Sequence, residues 1–263
     1  MDLGIKGKRA LVMGSSSGMG NSIARGLAAE GVDIILTARR QDVLDTEAKS
    51  IADKFSVRVE AMACDLSQDG DLDRLLDFAA DRFGGIDIQF NNCGGPPRLL
   101  PSEADFDLWR AWFDIIVLAA MKATSAALPN MQKNGWGRVL SMTSSNIYIA
   151  ATANVLSSSL RMALVGWSKA LANEMAKDGI TANCLVPGRI ETERVQSGDV
   201  ERARRAGVTP DEMRARMIAD APMGRDGRVE EMGNAAVLLC SQQAAYITGS
   251  VIRVDGGRIP VTM

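Results

Sequence analysis

Ser157 and Arg161 stand four residues apart in the stretch "VLSSSLR". In a helix that spacing is one turn, so a hydroxyl and a guanidinium share a face. The hydroxyl can hydrogen-bond an oxygen and relay a proton. The guanidinium can hold an oxyanion or ribose hydroxyls, but it stays protonated and cannot usefully release a proton. Ser144 closes the apolar run "GRVLSMTS" and Tyr148 follows it by four residues, adding a phenol whose pKa starts near about 10. Tyr148 and Tyr246 are the two tyrosines, and the chain has no histidine. That removes histidine triads, histidine bases and the common histidine metal sites, and no metal is expected. What remains among these side chains is a set of hydroxyls and a fixed cation.

A second group of residues is suited to phosphate. "GSSSGMG" (14–20) sits between a short apolar run and an amphipathic helical pattern. Glycines there allow a tight turn and let backbone N–H groups meet a pyrophosphate at a helix N-terminus. Its spacing, G-x-x-x-G-x-G, differs from G-x-G-x-x-G, and a plain tight turn is the alternative. After the next apolar run, "TARR" supplies Arg39 and Arg40 and no acid. An acid at this place accepts from the 2′-hydroxyl of NAD, whereas arginine accommodates the 2′-phosphate of NADP. The residues favour NADP(H), with NAD(H) second; a solvated basic pair at a helix start is the plainer alternative.

Strands alternating with helices must position these groups. The apolar runs "RALVMG", "VDIILTA", "VRVEAMACD", "IDIQFNNCGG", "GRVLSMTSS", "ITANCLVPG" and "GSVIRVDGG" read as seven strands. Helical patterns separate most of them, among them a long one around 109–131 and another around 155–177. Alternation on this scale predicts an α/β fold, a Rossmann-like doubly wound seven-stranded parallel sheet with helices on both faces. Residues 1–263 are expected to form a single dinucleotide-binding domain. Residues 191–221 are charged and the least regular, and read as an excursion, either a lid over a site or a surface loop with a short helix.

Composition sets limits. The chain has 263 residues, is 46% hydrophobic and 24% charged, and carries a net charge of −2. No basic stripe points to nucleic acid. No apolar run is expected to span a membrane, and the start lacks a signal-peptide core, so a cytoplasmic location is expected. Cys64, Cys93, Cys184 and Cys240 are scattered and read as small buried hydrophobes.

Taken in order, these motifs resemble those of the short-chain dehydrogenase/reductase family over nearly the whole length. Gly14–x–x–x–Gly18–x–Gly20 follows Met13 where the family has threonine, "NNCG" (91–94) resembles Asn-Asn-Ala-Gly, and "CDL" (64–66) resembles the adenine-side Asp. "PGRIET" (187–192) resembles the Pro-Gly segment beside nicotinamide, and "ITGSVIRVDGG" resembles the C-terminal signature. The resemblance implies a cofactor site from Gly14, Ser16, Ser17, Gly18, Met19, Gly20, Arg39, Arg40, Asp65, Leu66, Asn92 and Gly94. Arg161, Pro187, Gly188, Ile190 and Thr192 would complete it. The family's catalytic serine falls on Ser144, its tyrosine on Ser157, its lysine on Arg161 and its asparagine near Ile116. One role of four keeps its residue. Ser144, Ser157 and Arg161 are therefore the catalytic candidates, with Tyr148 as a further phenol whose plainer role is a pocket-wall aromatic.

The resemblance to 3-oxoacyl-carrier-protein reductases implies an NADP(H)-dependent oxidoreductase acting on a small-molecule carbonyl/alcohol pair. A non-redox enzyme (isomerase, lyase or dehydratase) on the same fold, or an inactive nucleotide-binding subunit, stands beside it. The family further implies a homo-oligomer, dimer or tetramer, assembled through the two long helices and the last strand.

Overall fold

The computed structural model describes residues 2–262. The seven expected strands form: β1 (Arg9–Met13), β2 (Asp33–Ala38), β3 (Val59–Ala63), β4 (Ile88–Asn91), β5 (Gly137–Met142), β6 (Ile180–Pro187) and β7 (Val251–Val254). They pair in the order β3-β2-β1-β4-β5-β6-β7, every pair parallel. β1 and the central β5 and β6 are almost wholly buried, as a sheet covered on both faces requires. The chain winds outward from β1 through β2 to β3, then returns to place β4 on the other side of β1. Carboxyl ends diverge at such a switch point and leave a crevice there.

One face carries α1 (Gly18–Ala29), α2 (Gln41–Phe55) and α9 (Val229–Cys240); the other carries α3 (Asp71–Phe83), α5 (Ala119–Asn134) and α6 (Val155–Met175). Each face has its own apolar core. Ile23, Leu27 and Val237 lie in one, and Leu75, Met131 and Leu171 in the other. α1 and α9 pack closely because each offers a glycine. A Cβ at Gly26 would sit 2.8 Å from Val237 Cγ2, and one at Gly233 would sit 2.7 Å from Ser22 Oγ.

The helix expected around 109–131 runs without a break from α4 (Phe106–Phe113) through a wide π turn (Asp114–Leu118) into α5. The π turn turns Ile116 and Val117 inward against Leu156 and Leu160 of α6. This corrects the expectation of no membrane-length apolar run: Phe106–Asn134 is long and apolar enough to cross one by length and composition. The reason is that the helix is apolar on two sides. Ala119, Ala120, Ala123, Ala127 and Met131 are buried, while Phe113 and Leu118 are exposed.

Residues 191–221 are more regular than their composition suggests. They hold two helices, α7 (Glu193–Ala206) and α8 (Pro210–Ala219). Thr192 caps α7, and Thr209 with Glu212 forms a capping box on α8. α7 shows no apolar stripe, and ion pairs anchor it instead. Arg189 donates to both oxygens of Asp199 on α7 and, at 2.5 Å, to Asp226. Arg202 and Arg214 add further contacts to the same two carboxylates. Arg189, Asp199 and Asp226 are all nearly inaccessible.

Candidate active site

Two clefts open along the carboxyl edge of the sheet. One, of about 780 Å³, lies over β1, β2 and β3. The other, of about 830 Å³, lies over β5, α6 and the start of α7. The glycine turn between β1 and α1 borders both. Gly14 and Gly18 adopt φ of 63° and 58°, which L-residues disfavour. A Cβ at Gly20 would lie 2.1 Å from the Gly14 oxygen, so the first turn of α1 can close only on glycine. Ser15 Oγ accepts from the Thr37 N–H at 2.9 Å and ties the turn to β2. Ser17 begins α1 without capping it, and the first turn holds no acid. The leading N–H groups of α1 are left for an anion, the arrangement a pyrophosphate needs.

The first cleft gathers Ser16, Ser17, Arg39, Arg40, Asp65, Leu66, Asn92 and Gly94, all expected from sequence. Arg39 and Arg40 are exposed at the end of β2, and among the described residues neither forms an ion pair. Asp65 accepts from the Ser67 N–H and hydroxyl, and those bonds hold its carboxyl below the usual range, with Arg39 adding to the effect. The residues fit a 2′-phosphorylated adenosine: two free guanidiniums and no acid directly after β2.

The second cleft brings together Gly18, Met19, Gly20, Ser144, Ser157, Arg161 and Thr192. Ser144 follows β5 and accepts from the Asn146 N–H at 3.2 Å. The Asn146 amide donates to Ser157 Oγ at 3.4 Å, and Asn154 donates to Asn146 Oδ1. Asn146 therefore links the two serines, and both act as acceptors toward it. A hydroxyl that accepts retains its own hydrogen, so both O–H groups remain free to donate into the cleft. Arg161, one turn after Ser157 on α6, is 6% exposed. It donates to the Met142 carbonyl at 2.7 Å and has no carboxylate partner among the described residues. A buried cation with one neutral acceptor keeps most of its donors available.

Some expected residues fall elsewhere. Tyr148 does not line the cleft. Its ring faces the Arg253 guanidinium, 5.4 Å from the centroid. Pro187 pairs with Val254, Gly188 donates its N–H to the Val254 carbonyl, and Ile190 is in the core. These three hold the chain that delivers Thr192 to the cleft. Cys64, Cys184 and Cys240 are buried as expected, but Cys93 lines both clefts. Burial pushes its thiol pKa up, opposed by neighbouring Arg161. Asn146 and Arg194 were not singled out from sequence, and Cys93 only as a buried thiol within "NNCG". Asn146 had one available signal, its place two residues after Ser144.

A family profile described as enoyl-(acyl carrier protein) reductase matches residues 14–258. The chain belongs to the short-chain dehydrogenase/reductase family. It is 31% identical to D-beta-hydroxybutyrate dehydrogenase of Cupriavidus necator, over 96% of this chain and 98% of that one. It is 30% identical to 3-oxoacyl-(acyl-carrier-protein) reductase of Aquifex aeolicus, over 98% and 99%. L-sorbose reductase from Gluconobacter frateurii, solved with NADPH and L-sorbose, superimposes with a TM-score of 0.94 at 34% identity, covering 99% of this chain and 100% of that one. The doubly wound fold is thus that of a short-chain dehydrogenase/reductase. The family is one of NAD(P)-dependent oxidoreductases, and the cofactor expected from Arg39 and Arg40 is the phosphorylated form that the solved relative holds.

Proposed function

We propose that this short-chain dehydrogenase/reductase is an NADP(H)-dependent oxidoreductase of a small carbonyl/alcohol pair, with Ser157 and Arg161 standing where the family carries tyrosine and lysine. The observation that carries the reading is the Asn146-linked serine pair beside Arg161, a buried cation with no carboxylate. The nicotinamide, when bound, supplies or accepts the hydride. Arg161 stabilises the negative charge that grows on the substrate oxygen and offers donors to the ribose. Ser144 and Ser157 point free O–H hydrogens at that oxygen. An aliphatic hydroxyl is a weak acid, so Ser157 passes a proton only in concert with the charge appearing on the substrate. Half-buried at the cleft wall, it is re-protonated from solvent.

The segment 191–221 belongs to this reading as a lid over the nicotinamide end. Support comes from its start: Thr192 lies against the phosphate turn, 3.3 Å from where a Gly18 Cβ would be. Assembly into a homo-oligomer is supported by exposed apolar side chains on the two long helices, Leu118 at 45% and Met162 at 47%.

The test is stoichiometric NADPH oxidation by the purified protein across a panel of ketones, 3-oxoacyl thioesters and ketoses. One NADPH consumed per alcohol formed is the expected result. Turnover with no net change in NADPH would assign a non-redox enzyme instead. Tight nucleotide binding with no turnover on any substrate would leave a nucleotide-binding subunit.

A further inference from the structure

Arg194 sits in the first turn of α7, and nothing in the site described so far uses it. It is the one charged residue that lines both clefts. The two halves of a dinucleotide occupy two clefts only if their joining pyrophosphate lies where the clefts meet. The glycine turn offers N–H groups there from the sheet side. At the same junction the Arg194 guanidinium folds onto Gly95, where a Cβ would be 2.2 Å from Nη2. Any side chain at position 95 would expel it.

Pairing sets Arg194 apart from its neighbours. Arg189, Arg202, Arg204, Arg205 and Arg214 each pair with a carboxylate. Arg194 forms no ion pair among the described residues, although Glu191 and Glu193 border the same cleft. Its other charged neighbour is the like-charged Arg161. Two cations thus line one cleft and neither forms an ion pair among the described residues, which suits the cleft to an anion. A pyrophosphate carries about two negative charges and matches the planar fork of arginine bidentately.

We propose that Arg194 is a cofactor-binding residue that clamps the dinucleotide pyrophosphate from α7, so that the nucleotide itself draws the 191–221 segment onto the site. The proposal rests on the NADP(H) reading above. Arg194 is exposed, so replacing it leaves the fold intact, and matching melting curves verify this.

The experiment titrates the full-length parent, Arg194→Ala and Arg194→Lys with NADPH, NADH and adenosine 2′-monophosphate, and follows hydrogen exchange over 193–206. Arg194→Ala should weaken NADPH and NADH by the same factor, about tenfold to a hundredfold for one lost charge-assisted hydrogen bond. Binding of adenosine 2′-monophosphate, which has no pyrophosphate, should not change. Arg194→Lys should recover part of the loss. NADPH should protect 193–206 in the parent and fail to do so in Arg194→Ala. NADPH affinity within twofold of the parent overturns the clamp. So does a matching loss for adenosine 2′-monophosphate, which would move Arg194 to the 2′-phosphate. Unchanged nucleotide affinity with a raised KM only for anionic substrates would make it a substrate contact instead. A parent that binds neither nucleotide overturns the function reading and the clamp together.

Discussion

The two halves of the cleft are built in different ways. The adenosine half is made of backbone and strand ends: a glycine turn, an uncapped helix start, and Arg39, Arg40 and Asp65 each directly after a strand. Each part is set by a few consecutive residues. The nicotinamide half depends on side chains from separate elements. Ser144 follows β5, Ser157 and Arg161 lie on α6, and Asn146 bridges the serines from the loop between them. Backbone cradles tolerate little change, because a single Cβ at Gly20 collides with Gly14. Side-chain constellations can exchange members while the cradle stays. The comparison teaches that nucleotide binding and chemistry are separable here, and that substitutions should separate them.

The largest effect is expected at Arg161. Replacing it with Ala should lower kcat by about 100- to 1,000-fold, the usual loss for one donor to a developing oxyanion. NADPH affinity should fall too, through the ribose. The double change Ser157→Tyr and Arg161→Lys should raise reduction of simple carbonyls above the parent, provided Ile116 leaves room. Steady-state kinetics with a fixed ketone checks both. Normal turnover by Arg161→Ala would move the chemistry to Ser144 and its surroundings.

Arg39→Asp addresses the other half. It should weaken NADPH by about tenfold to a hundredfold while leaving NADH and the chemistry nearly untouched. Calorimetric titration reads this directly, and equal affinities of the parent for the two nucleotides would remove its basis.

The smallest effect concerns the anchor of α7. Hydrogen bonds from Arg189 hold the Asp199 carboxyl below its ordinary pKa. A depressed carboxylate contributes stability above its unfolded pKa and loses it as pH falls through the folded value. Asp199→Asn should therefore cost about 1–2 kcal/mol at pH 7, or about 2–8 °C in Tm. The difference from the parent should close as pH falls below about 4. Melting curves between pH 7 and pH 2.5 decide it, and a gap that stays constant with pH would rule out the charged contact as the cause.

Legibility in the sequence follows the same division. All seven strands could be read because buried parallel strands are continuous apolar runs, and glycines marked the phosphate turn. The Arg189–Asp199–Asp226 cluster could not be read, since its members lie 10 and 37 residues apart and α7 lacks an apolar stripe. The contact of Tyr148 with Arg253 could not be read for a similar reason: Arg253 comes from the last strand, and only the assembled sheet brings them together. Asn146 was overlooked because its role depends on Ser144 and Ser157 being near at once. The π turn at Asp114–Leu118 left no mark in a sequence that reads as ordinary helix.

The Arg189 cluster has a practical consequence for ionic strength. Its three charges are nearly sealed from solvent, so mobile ions reach them poorly. Arg39, Arg40 and Arg194 are exposed, and any grip they have on phosphate is open to screening. Moderate salt should thus release nucleotide while α7 stays anchored. The protein should come off an immobilised-nucleotide column in a salt step, folded and ready to bind again once the salt is removed.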